Sequence, residues 1–148
     1  MARIEIASPE RYVYSTDIPI RIGDINRGRH LAHDAVLSIM EEARVRFMRS
    51  IGYPEENVGG VSFITVDAGI MYKKQGFYGQ TLRIEIAATD LSRKGCDIIY
   101  RISNAETGEE MVRAKTGMLF YNYREQKVAA MPEEFRKKIA AAADAEHS

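Results

Sequence analysis

The chain has 148 residues, of which 45% are hydrophobic and 28% charged, the proportions of one soluble globular domain with room for a hydrophobic core. Its 21 basic residues balance its 21 acidic ones, so the basic footprint that broad nucleic-acid binding requires is missing. One cysteine, Cys96, excludes an intrachain disulfide, and no apolar run is long enough for a membrane span or a signal core, which points to a cytoplasmic protein with no nucleic-acid or membrane partner.

Residues 12–22, rich in Tyr, Val, Ile and Thr, read as a strand, and Pro19 places it at a sheet edge or a bulge. A polar connector, GDINRGRHLAHD, runs from Gly23 to Asp34 and holds His30 and His33, two of the chain's three histidines. Asp24 in it can anchor the loop or pair with Arg27 or Arg29. Residues 35–51 read as a helix with Val36, Leu37, Met40, Ala43, Phe47, Met48 and Ile51 in one apolar stripe. Asp34 stands at its N-cap, Gly52 at its stop, and Pro54 prevents continuation. On its flank Glu41 and Arg44 are spaced to pair.

Beyond Gly59 and Gly60 the hydrophobic period changes to two. Strands are predicted at 61–72, 81–90, 96–103 and 110–121, separated by turn residues at 76–79, 92–95 and 104–108. Short turns imply antiparallel pairing. Pro132 opens a C-terminal helix through EEFRKKIAAAA, and the AAAADAEHS tail is expected to fray. A single helix with a strongly apolar face needs a sheet to cover it. The expected class is therefore α+β, one domain over 1–148, with a curved antiparallel sheet around one helix.

The order of IPIRIGDIN, GRHLAHDAVLSIMEEARVRFMRSIG, VDAGIMYKKQGFYGQTLRIEIAATDLSRKGCDIIYRI and AKTGMLFYN resembles the hotdog-fold thioesterases, in particular their 4-hydroxybenzoyl-CoA thioesterase-like branch, over about residues 12–136. The resemblance implies a hotdog fold of about five strands wrapped around one long central helix, with a short C-terminal helix. It also implies a homo-oligomer (a dimer or a dimer of dimers) with sites at the subunit interface, and hydrolysis of an acyl-CoA or acyl-carrier thioester; no cofactor is expected.

Departures from the family pattern matter as much. The family's catalytic loop aspartate falls on Asn26, its Asn or His position on His33, its glycine before the first histidine on Arg29, and its middle-segment proline on Lys74 or Gln75. An amide can orient water or a carbonyl, but it cannot take a proton as a carboxylate does. The alternative reading is a non-catalytic protein that binds an acyl thioester. Counting from His33, the helix carboxylate of a second hotdog branch falls on Glu42. The expected catalytic set is therefore Asn26, His33 and Glu42, with His33 or Glu42 as base. His30, Asp34 and Ala35 would meet the substrate at the helix N-terminus, where free N–H groups and the dipole favour an oxyanion. Equally, His30 can be structural and Asp34 a cap. Lys73, Arg93 and Lys94 would meet CoA phosphates. No spacing of metal ligands, phosphate-cradling Gly loop or serine elbow appears.

Overall fold

Alternating apolar residues in the second half of the chain build a sheet whose inner face closes over the long helix in the first half. The computed structural model describes residues 1–145. The elements are β1 (Tyr14–Pro19), a 3₁₀ turn (Ile22–Asp24), α1 (His33–Ser50), β2 (Asn57–Val58), β3 (Val61–Tyr72), β4 (Thr81–Thr89), β5 (Gly95–Asn104), β6 (Glu110–Asn122), β7 (Lys127–Ala129) and α2 (Glu133–Ala145). The strands form one curved antiparallel sheet in the order β1-β4-β5-β6-β3-β2, with β7 added on β6. Pro19 ends β1 on the sheet's outer edge, where its missing N–H costs no ladder bond.

α1 buries Ala35, Val36, Ile39, Met40, Ala43, Phe47 and Met48. They pack against Leu82, Ile84 and Ile86 of β4, Ile98, Tyr100 and Ile102 of β5, and Val112, Ala114, Met118 and Phe120 of β6. Fully burying one such side chain contributes about 1.5–3 kcal/mol, so this one face supplies most of the drive that holds helix to sheet. Gly95 lets β5 approach β6 closely, because a Cβ there would run into the carbonyl of Met118.

Several expectations need correction. Leu37 is 46% exposed, and Ile39 takes its place in the stripe. The helix starts at His33, with Ala32 rather than Asp34 at the N-cap; Asp34 lies inside the first turn. At the other end Gly52 adopts φ +99, the left-handed geometry in which glycine stops a helix at least cost. The sheet has seven strands rather than about five, since β2 and β7 carry only two and three residues. The tail expected to fray continues α2 to Ala145; residues 146–148 lie outside the described residues. Among the described residues no helix is long and apolar enough to cross a membrane.

Candidate active site

The polar connector is tied down at its base. Asp24 is buried and accepts the backbone N–H of Arg21 at 2.8 Å and its guanidinium at 3.3 Å. Its carbonyl accepts the N–H of Ala32, and the Gly76 carbonyl accepts that of Leu31. Asp24 thus anchors the loop through Arg21, not through Arg27 or Arg29. Residues 26–30 then form a tight turn. The N–H of Asn26 donates to the His30 carbonyl, that of Arg29 to the Asn26 carbonyl, and that of His30 to Asn26 Oδ1 at 3.4 Å.

This base aims the start of α1 into a recess of about 240 Å³. His30, His33 and Val36 form one wall; Tyr72, Lys73 and Gly76 form the other. Gly76 is tightly packed: a Cβ there would press on Ile20, Met111 and Leu31, which would have to shift by a few tenths of an ångström. The first intrahelical bond runs from the N–H of Val36 to the Ala32 carbonyl, and no side chain caps the terminus. The preceding amides, of His33, Asp34 and Ala35, have no acceptor within the helix, so together with the dipole they favour negative charge at the recess. The amide of Val36 is already bonded and so has no part in that role.

His33 is exposed at the recess and stacks on Tyr72, ring centroids 4.1 Å apart and planes at 21°. Tyr72 ends β3, and partial burial pushes its phenol above the usual tyrosine range, so it stays a neutral hydrogen-bonding group. Sequence reasoning missed Tyr72. The signal available was its place at the head of the middle segment, YKKQGFYGQ, which carries the family resemblance.

The recess gathers His30, His33 and Lys73; Asp34 and Ala35 follow His33 in the first turn of α1 but do not line it. It does not gather the others. Asn26 faces back into its own turn, where Oδ1 holds the His30 N–H. Glu42 lies nine residues beyond His33, about 14 Å along the helix at 1.5 Å per residue. Its carboxylate pairs with Arg46 at 3.0 Å, and Arg46 is bonded in turn to Thr16 and Asp17 of β1, at the sheet edge opposite β3. Arg44 pairs with Glu56 rather than with Glu41. Lys73 Nζ is 2.6 Å from Glu110. Burial alone would push the Glu110 carboxyl up, but hydrogen bonds from Arg113 and Lys73 outweigh it and hold it below the usual range. Arg93 and Lys94 precede Gly95, which sits beside Leu119, whereas Tyr72 sits beside Val112. Within one chain they therefore stand at the opposite end of the sheet from the recess. Cys96 is buried on the inner face, and burial with Asp97 nearby pushes its thiol up to about 12, which removes it as a nucleophile.

A family model described as the thioesterase-like superfamily matches residues 20–139. The 1,4-dihydroxy-2-naphthoyl-CoA thioesterase of Synechocystis superposes with a TM-score of 0.79 at 22% identity, covering 86% of this chain and 95% of that one. A Thermus thermophilus thioesterase complexed with coenzyme A and Zn superposes with a TM-score of 0.78 at 20% identity, covering 90% of this chain and 96% of that one. A chloroplastic acyl-[acyl-carrier-protein] hydrolase of Cuphea viscosissima is 19% identical over 135 residues, 86% of this chain. The chain spans about a third, 33%, of the length of the curated relatives it matches.

Proposed function

The chain belongs to the thioesterase-like superfamily, and from that premise we propose that it hydrolyses an acyl thioester, carried by CoA or by a carrier protein, to the free acid and the thiol. One observation carries this reading: the His33 imidazole lines a recess at the very start of α1, where the first amides of the helix have no intrahelical acceptor. In the proposed reaction His33 takes a proton from water as the hydroxide adds to the thioester carbonyl carbon. The oxyanion lies on the amides of Asp34 and Ala35, which are fixed before the charge develops. The C–S bond then breaks, and the leaving sulfur takes the proton back from the imidazole. His30, held by Asn26, supports the rim.

Glu42 has no part in this scheme because it is bound to Arg46 far from the recess. The test is hydrolysis of a panel of acyl-CoAs by the unaltered protein and by Glu42→Gln. The unaltered protein is expected to turn over at least one substrate, and Glu42→Gln to keep kcat/KM within about threefold, since general acid–base groups contribute about a hundredfold or more. A second reading, binding without turnover, is favoured by the absence of any carboxylate in the recess lining. An acyl-CoA that binds and is never hydrolysed would establish it and end the first.

The working unit in this proposal is a homo-oligomer joined along β3. β2 covers only Val61 and Ser62, so among the described residues no strand pairs with the outer side of β3 from 64 to 72. Thr65, Val66, Asp67 and Ala68 lie exposed there, with no proline or lysine to block pairing. Such an edge is a template for another strand, and a second copy of β3 fits it antiparallel. Light scattering is expected to give twice the chain mass, and Val66→Lys with Ala68→Lys to give the monomer. A monomeric unaltered protein would sink the arrangement.

A further inference from the structure

We propose that Arg29, with Arg27 beside it, grips the phosphates at the nucleotide end of a CoA thioester; this rests on the thioesterase reading above. The recess of about 240 Å³ is below the range of about 300–1,000 Å³ usual for a drug-sized ligand. It has room for the reacting carbonyl and its neighbours, so the nucleotide must lie outside, over the rim. Two groups of cations are near: Lys73 and Lys74 line the recess, and Arg27 and Arg29 lie on the turn that leads into His30. Lys73 and Lys74 are already paired with Glu110 and Glu109. Arg27 and Arg29 are exposed on the turn that ends in His30, and no carboxylate among the described residues lies within ion-pair distance of either.

The backbone of the turn gives the second argument. Arg29 adopts φ +66, left-handed geometry that suits glycine and costs another residue roughly 1–2 kcal/mol. Gly28 beside it does not use that geometry. The position is the one where the family resemblance expects glycine. A guanidinium is thus held at a site where the fold alone would be better served without a side chain. Three backbone and Asn26 hydrogen bonds fix the turn, so the fork is presented with little left to order on binding. Arginine is the residue suited to bidentate phosphate contact, and a chain of zero formal charge has no general field to do this work instead.

The test compares Arg29→Gly and Arg27→Gln with the unaltered protein on an acyl-CoA and on the matching S-acyl-N-acetylcysteamine, which has no phosphate. On acyl-CoA, KM is expected to rise about tenfold in each variant with kcat unchanged, and the rise to shrink as salt is added. The phosphate-free thioester should show no change, and Arg29→Gly should melt no lower than the unaltered protein. Calorimetry with adenosine 3′,5′-bisphosphate reads the same grip without turnover, and its affinity should fall by the same factor. An unchanged KM and an unchanged bisphosphate affinity would overturn the proposal. So would a KM effect confined to an acyl-carrier protein, or one produced by Arg93→Gln with Lys94→Gln instead. Failure of the unaltered protein to hydrolyse either thioester would sink the thioesterase reading separately, and the bisphosphate titration would still decide the grip.

Discussion

Replacing His33 by Ala is expected to lower kcat/KM for the best acyl thioester about a hundredfold or more, with the melting temperature nearly unchanged. The first half follows from the chemistry available. The recess lining holds two imidazoles, a lysine pair and a phenol, and no carboxylate. Imidazole is the one kind of group there suited to accept a proton from water near neutral pH and return it to the leaving sulfur, and of the two, His33 is the more exposed and stands at the helix start. Its loss should fall on kcat, with KM little altered, because it acts on the transition state and not on the bound thioester.

The second half follows from the packing. His33 is exposed, and among the described residues its side chain has no hydrogen-bond partner; its stacking contact is the Tyr72 ring. A surface change of this kind usually costs within about 0.5 kcal/mol. His33→Gln keeps a hydrogen-bonding group of similar reach but cannot carry the proton, so it should be as slow as His33→Ala. The residual rate in both variants measures what the amides of Asp34 and Ala35 contribute alone. Full turnover by His33→Ala would remove the imidazole from the mechanism.

Strand positions were legible because alternation carries over nine or more residues; the prediction for 81–90 differs from β4 by one residue. β2 and β7 were not legible, since two or three residues carry no period. The helix start was misplaced because Asp34 has the chemistry of a cap, yet a carboxylate is also stabilised within the first turn by the same dipole. At the site, the histidines of one short connector could be read together. Tyr72 and Gly76 come from some 40 residues away, and only the direction of β3 brings them to the helix start. The same long-range geometry separates Arg93 and Lys94 from Lys73. Whether a lysine is free or already paired, as Lys73 is with Glu110, depends on strand register, which spacing along one strand does not reveal.

Arg44→Met is expected to destabilise the fold by about 3 kcal/mol, read as a shift of the denaturant midpoint at constant slope. Arg44 is 7% exposed on α1, with Nε 3.0 Å from Glu56 Oε2 and a guanidinium nitrogen 3.4 Å from the Tyr100 hydroxyl. That hydroxyl also bonds Thr116 at 2.7 Å. Methionine fills much of the volume but leaves the Glu56 carboxylate, its side chain 16% exposed, without its cation in a poorly solvated position. Glu56→Gln keeps an acceptor for the guanidinium and should cost less, about 1–2 kcal/mol. The double variant should cost less than the sum, because the stranded charge is then absent. The exposed Arg46–Glu42 pair provides the contrast: its side chains are 39% and 53% exposed, and breaking it should cost about 0.5 kcal/mol or less. Arg44 also joins function to stability. Glu56 accepts the N–H of Phe63 through its carbonyl at the entry to β3, so the pair fixes where α1 sits along the strand whose far end is Tyr72. Slackening it should loosen the His33–Tyr72 stack and lower kcat at temperatures where the fold still holds. Unchanged kcat alongside the expected loss of stability would confine the pair to holding the core.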